Sequence, residues 1–229
     1  MRRIRDIEDY FRSKSNIEYE RKKLNINQTD PDLIERLESL GALEVFRGEV
    51  ISDYYYGDPK EPLFLVYLQM CGTLENIGDK QLKPWIRLRT MTDDMGLVLY
   101  FAETKCLTET PGAKEELGGL TNIEILNLIK NKLIEEKLLT YMRKREIKRR
   151  SIYVLPGENG KEYRPGLEYN LDLISAPVKV DQFLEIEGTD EESFLYGVRK
   201  VGMQESEFNK ISAKDLIKIE EEKLKLVMP

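Results

Sequence analysis

The sequence predicts an α+β protein built on a closed, antiparallel, eight-stranded β-barrel with flanking helices. Three observations carry this prediction. Eight segments have strand character, with only a few helical patterns between them. Several of these strands place charges at i and i+2, hence on one face, with apolar residues between them. Acidic pairs fall near both ends of the chain and basic pairs in its middle. Closing an antiparallel sheet joins its first and last strands and gives every strand an inward face.

The first strand is expected over 16–27, where Glu18, Glu20 and Lys22 share a face. A helix follows, opened by Asp30-Pro31, striped by Leu33, Leu37 and Leu40, and closed by Gly41. Strands are expected over 43–56, 63–70, 84–91 and 97–106. In the third of these Arg87 and Arg89 flank Leu88, and the fourth ends with Glu103 and Lys105 on one side. Thr121 with Glu124 reads as a capping box ahead of Ile125, Leu128, Ile129 and Leu133. The strand 141–154 carries Lys148 and Arg150, 167–175 carries Asp172, and 179–187 ends in Glu185-Ile186-Glu187. Thr189 with Glu192 repeats the capping box before Phe194, Val198 and Val201, and a charged helix closes the chain from about Ser212 to Leu226. No Pro/Gly/Ser-rich boundary divides the chain, so one domain over 1–229 is expected. Its core covers about 16–204, with an N-terminal extension over 1–15 and a C-terminal helical segment over 205–229.

Composition narrows the chemistry. The 229 residues are 41% hydrophobic, enough for a sizeable core, and 34% charged. A net charge of −6 argues against nucleic acid as a partner. The basic run Lys144 to Arg150 lies in a strand, so its side chains alternate between two faces. Histidine is absent, which removes Ser-His-Asp and Cys-His catalysis and His-containing zinc sites. Cys71 and Cys106 lack the spacing of a zinc or redox pair, and reduced thiols are the plainer expectation. A metal would therefore be held by carboxylates, which points to Mg²⁺ or Mn²⁺. The apolar stretch Leu63 to Cys71 is too short to span a bilayer, and the basic start of the chain lacks a signal core. A cytoplasmic protein with no membrane partner is expected.

Any single charged pair fits a solvated sheet face. Together, turned inward, Glu18, Glu20, Asp172, Glu185 and Glu187 would face Lys22, Arg87, Arg89, Lys105, Lys148 and Arg150. So many ionised groups cannot stay enclosed without partners. A polyanion carrying divalent metal supplies both kinds.

These residues resemble the CYTH family, the triphosphate tunnel metalloenzymes, which includes class IV adenylyl cyclases, thiamine triphosphatases and inorganic triphosphatases. The resemblance is carried by Glu18-Tyr19-Glu20-Arg21-Lys22, Asp53-Tyr54-Tyr55-Tyr56, Ile86-Arg87-Leu88-Arg89, Lys105, Lys148 to Tyr153, Asp172 and Glu185-Ile186-Glu187, in the family's order. It spans about residues 16 to 204. Residues 60–82 look longer than the usual connection there, and both chain ends are extended. These departures leave the substrate and a homodimer unspecified.

The resemblance implies that Glu18, Glu20, Asp172, Glu185 and Glu187 bind a pair of metal ions, one of which activates the attacking oxygen. It implies that Lys22, Arg87, Arg89, Lys105, Lys148 and Arg150 bind the phosphates. Glu18, Glu20, Lys22 and Tyr55 are the catalytic candidates, Tyr55 as a group that positions nucleophile or leaving group. Glu103 is either a further ligand or the salt-bridge partner of Lys105. Trp85 shares a face with Arg87 and Arg89 and either packs the mouth or meets an organic cation. The leading function is metal-dependent hydrolysis of inorganic, nucleoside or thiamine triphosphate. The alternatives are a class IV adenylyl cyclase acting on ATP, a non-catalytic module that binds polyphosphate or nucleotide, and a plain structural barrel.

Overall fold

The computed structural model describes residues 2–4, 6–14, 17–24, 31–57, 61–62, 83–108, 113–157 and 162–227. In chain order the elements are β1 (Arg2–Arg3), α1 (Ile7–Ser13), β2 (Ile17–Lys23), α2 (Pro31–Ser39), β3 (Leu43–Gly57), β4 (Trp85–Asp93), β5 (Val98–Leu107), β6 (Ala113–Thr121), α3 (Ile123–Glu135), β7 (Leu139–Pro156), β8 (Tyr163–Ala176), β9 (Val180–Gly188), α4 (Glu191–Lys200), a 3₁₀ turn (Glu205–Glu207) and α5 (Ala213–Val227). The eight long strands run β3-β4-β5-β6-β2-β9-β8-β7, and β7 returns to β3, which closes the barrel. Each neighbouring pair in this ring is antiparallel. The expected architecture is present.

The eighth strand is not where the sequence places it. The expected strand 63–70 lies outside the described residues, and β6 takes a place in the ring that sequence reading leaves unassigned. Its Lys-Glu-Glu start and paired glycines hide the alternation. Gly118 is required there: its φ is +112°, and a Cβ would sit 2.0 Å from the carbonyl oxygen of Ala102. The glycine lets β6 approach β5 opposite Glu103.

The strands are apolar outside; inside they are charged around the cavity and apolar at one end, where Met91, Leu99 and Phe101 continue the inward face of Arg87 and Arg89. Tyr19, Tyr169, Leu184 and Ile186 face outward under Leu33 and Leu37 of α2 and Phe194 and Val198 of α4. Ile86, Leu88 and Ala102 are covered by Leu126 and Ile129 of α3. Burying each large side chain of this set stabilises by roughly 1.5–3 kcal/mol. The helices are therefore the outer half of the core, and their removal would expose it.

Two helix starts lie one residue past the expected caps. Asn122, not Thr121, caps α3 and accepts from the Ile125 N–H at 2.8 Å. Asp190, not Thr189, caps α4 and accepts from the Ser193 N–H at 2.8 Å. In both cases Asn or Asp stands next to Thr and is the stronger cap, because its carbonyl or carboxylate oxygen reaches the free N–H more readily. Ser212 and Asp215 bond reciprocally at the start of α5. Asp30, the expected cap of α2, lies outside the described residues.

Residues 2–4 and 6–14, read from the sequence only as part of an extension, build one end of the barrel. Asp6 caps α1 through the Asp9 N–H at 2.9 Å, and the Ile4 N–H donates to the Glu44 carbonyl. α1 touches β3 and β6, bonds Tyr163 and Glu168 of β8, and sets Phe11 edge-on to Phe101 of β5 at 5.2 Å. A helix touching four strands spaced around the ring lies across its opening. Phe11 and Tyr10 are buried there with Val50, Met91, Leu99 and Ile152.

Candidate functional site

Inside the barrel is a cavity of about 460 Å³, bounded at one end by Phe11 and lined toward the other by Trp85, Met142 and the first turn of α5. Among the described residues, eleven lysines and arginines and six glutamates line it. The wall therefore carries a surplus of five positive charges in a chain whose net charge is −6. Glu103 and Asp172 are buried behind Arg87 and Arg150.

The acidic wall is where barrel closure joins β2 to β9. Their register sets Glu20 opposite Glu187 and Lys22 opposite Glu185. Oxygens of Glu20, Glu185 and Glu187 lie within 4.8 Å of one another. Lys22 Nζ reaches Glu185 at 3.0 Å and Glu20 at 3.5 Å, at 2% side-chain exposure. Burial raises Glu20 but Lys22 and Lys105 outweigh it, so its carboxyl is held well below the usual range. Burial pushes Glu185 up to about 8 against the pull of Lys22, and burial with repulsion from Glu18 pushes Glu187 up to about 8. Even with Lys22 beside them, Glu185 and Glu187 remain short of positive charge, and with Glu20 they form an oxygen-only donor set, which fits a hard divalent cation such as Mg²⁺ or Mn²⁺.

Across the cavity stand the bases. Arg87 and Arg89 on β4 both pair with Glu103, at 2.7 and 3.0 Å, so its salt-bridge partners are these arginines and not Lys105. Lys105 pairs with Glu18, and with Glu116 at 3.1 Å. Burial and the neighbouring Arg87 together lower Arg89, whose buried Nε–H has no acceptor among the described residues. The Nε–H groups of Arg143 and Arg145, nearer the mouth, also lack one. Buried guanidinium donors without acceptors call for anionic oxygens.

Most of the expected site residues meet in this cavity: Glu18, Glu20, Lys22, Arg87, Arg89, Lys105, Arg150, Glu185 and Glu187, with Trp85 at the mouth. Three expectations need correction. Lys148 is exposed on the outer wall, in a groove with Arg149, Asp93 and Asp94. The cause is a β-bulge in β7, where the pairing with β8 slips between Ile147 and Arg149 and that with β3 slips between Gly48 and Val50. The extra residue reverses the alternation, so Arg143 and Arg145 point inward instead. Tyr55 faces outward into the core beneath α3, and burial beside Asp53 raises it to about 12. The tyrosine in the cavity is Tyr54, which burial would raise but Arg145, Arg87 and Arg89 lower to about 8. Asp172 gives both oxygens to Arg150, at 2.7 and 2.6 Å, and stands outside the carboxylate triad.

Sequence reading missed Lys14, Glu116, Glu168, Arg143 and Arg145. The i+2 rule applied to β7 and β8 finds some of them: Arg143 pairs with Arg145, and Glu168 is in phase with Asp172. Lys14 has no such signal, since a helix delivers it.

No protein-family model matches this chain, and no curated protein does. Solved structures do. A candidate adenylate cyclase from Vibrio parahaemolyticus aligns over 89% of this chain and 99% of its own, at 15% identity and a TM-score of 0.53. A conserved hypothetical protein from Pyrococcus furiosus aligns over 87% and 99%, at 14% identity and a TM-score of 0.52. A Pyrococcus horikoshii protein aligns over 87% and 98%, at 16% identity and a TM-score of 0.51. At these identities the likeness is one of fold, and it accords with the resemblance carried by the motifs.

Proposed function

We propose that this protein binds a triphosphate with a divalent cation inside its barrel and hydrolyses it. The observation that carries this reading is the surplus of five positive charges facing the Glu20, Glu185 and Glu187 triad in one enclosed cavity. A polyanion satisfies the first and Mg²⁺ or Mn²⁺ the second.

Glu20, Glu185 and Glu187 would hold the cation, which when bound supplies positive charge that lowers the pKa of an attacking water. Lys22 lies between two of these carboxylates and keeps Glu20 ionised. Arg87, Arg89, Lys105 and Arg145 bind phosphate oxygens and stabilise the charge that moves onto the leaving group. Arg89 and Arg145 direct unsatisfied donors to that task. Asp172 holds the Arg150 guanidinium in place from behind. α1 closes the far end, so the reacting phosphate is screened from bulk water.

The test offers inorganic triphosphate, ATP and thiamine triphosphate in parallel with Mg²⁺ and then Mn²⁺. Orthophosphate release, reduced about 100-fold or more by Glu20→Gln, supports the hydrolase. A second reading is a class IV adenylyl cyclase, supported by the candidate adenylate cyclase that shares the fold. The edge-on pair of Tyr54 and Trp85 at the mouth, 5.8 Å between centroids, offers an aromatic seat for a base. Cyclic AMP with pyrophosphate from ATP would establish that reading instead. Binding without either product would leave a non-catalytic polyphosphate or nucleotide module.

A further inference from the structure

Two groups of three carboxylates share Glu187. One is the triad with Glu20 and Glu185. The other is Glu18, Glu168 and Glu187, which line a narrow cleft together with Lys14. The Lys14 ammonium stands 3.2 Å from Glu168 and 3.8 Å from Glu187, at 19% side-chain exposure. It also feels the charge of Glu18. Its position is set by α1: the Lys14 N–H donates to the Tyr10 carbonyl at 2.9 Å, and the Tyr10 hydroxyl donates to Glu168. One short helix thus brings two donors onto a single carboxylate.

Three carboxylates, two of them buried and Glu187 half-buried, need a cation, either a metal ion or an ammonium group. Mg²⁺ or Mn²⁺ would have to displace the ammonium and collect oxygens around itself. Lys22 also pairs with Glu185 and Glu20, but there oxygens of three glutamates converge within 4.8 Å of one another and can close around a cation. Among the described residues Glu18, Glu168 and Glu187 form no such convergent group, and Lys14 bridges them instead. We propose that α1 places the Lys14 ammonium where a second divalent cation would otherwise sit, so that the barrel takes one metal ion, at Glu20, Glu185 and Glu187. This rests on the metal-dependent reading above and differs from the pair of ions implied by the family resemblance. It makes the N-terminal segment part of the site: the same carboxylates would become a two-cation site once Lys14 is removed.

The experiment is a count of Mn²⁺ bound to the full chain without substrate, by calorimetry and by the electron paramagnetic resonance signal of the free ion. One ion per chain is expected for the unmodified protein and two for Lys14→Ala. Glu168→Gln should keep one, and Glu185→Gln should weaken that one about 100-fold or more. Two ions in the unmodified protein, or one in a folded Lys14→Ala, overturns the proposal while the metal-dependent reading stands. No binding at millimolar Mn²⁺ removes that reading itself, so the two failures are distinguishable. Should Lys14→Ala fail to fold, the count in the unmodified protein and the contrast of Glu168→Gln with Glu185→Gln still decide.

Discussion

Glu185 and Glu187 point the same way from β9, and Glu20 comes across from β2 to meet them. Held together and buried, the first two are raised to about 8. An unfolded glutamate titrates near 4.3, so their folded values lie above the unfolded one. Their contribution to stability is present at low pH and lost as pH rises through about 8. The metal-free protein should therefore lose thermal stability between about pH 5 and pH 8.5, and Mg²⁺ should restore more at pH 8 than at pH 6. A stability profile indifferent to pH and metal across that interval, measured by scanning calorimetry, would refute this. Tyr54 and Tyr55 give a second comparison at this scale. Tyr54→Phe removes a hydroxyl among three arginines, and its kcat/KM should fall about ten-fold. Tyr55→Phe, beneath α3, should change kcat/KM less than about two-fold.

Among the elements, β7 and α1 decide most. The bulge in β7 moves Lys148 out of the barrel and turns Arg143 and Arg145 in. One inserted residue thus exchanges the roles of a whole stretch of strand. α1 closes the barrel with Phe11, which meets Phe101 edge-on. Phe11→Ala removes most of that contact and should lower unfolding free energy by about 3 kcal/mol, read from urea denaturation. Lys14 lies just beyond this helix, so the same variant should also loosen the carboxylates it serves. An unchanged denaturation midpoint would mean that α1 is only draped over the opening.

For the whole molecule, the separation of charge is the dominant fact. Among the described residues eleven cationic side chains line a cavity in a chain with net charge −6, so the acidic excess lies elsewhere. The outside repels polyanions in general, while the enclosed wall attracts one that can enter. Salt screens exposed charges more than enclosed ones. Raising ionic strength from about 0.05 to 0.5 M should therefore screen the outer repulsion more than the enclosed attraction and speed association with triphosphate, with less effect on release, as stopped-flow measurements would resolve. Association slowed by salt would place the binding charges on the rim.

Much of this was legible in the chain because β-strands have a period of two. Glu18-x-Glu20-x-Lys22, Arg87-x-Arg89 and Glu185-x-Glu187 each declare one face, and regular strands keep those faces aligned. The closed barrel, the helices with apolar stripes and the carboxylate triad follow from such local patterns. Tertiary structure alone decided the rest. Whether the charged face of Asp53-Tyr54-Tyr55-Tyr56 begins at an odd or an even residue depends on which side α3 covers. Whether Lys148 or Arg145 enters the cavity depends on a slip in pairing with β3 and β8. Asp172 is held by its direct cross-strand pairing with Arg150 and stands outside the carboxylate triad. Lys14 meets Glu168 across a sequence separation of 154 residues. Local sequence specifies the alternation, whereas register and long-range contacts set its phase, because only neighbouring strands and covering helices determine which face is buried.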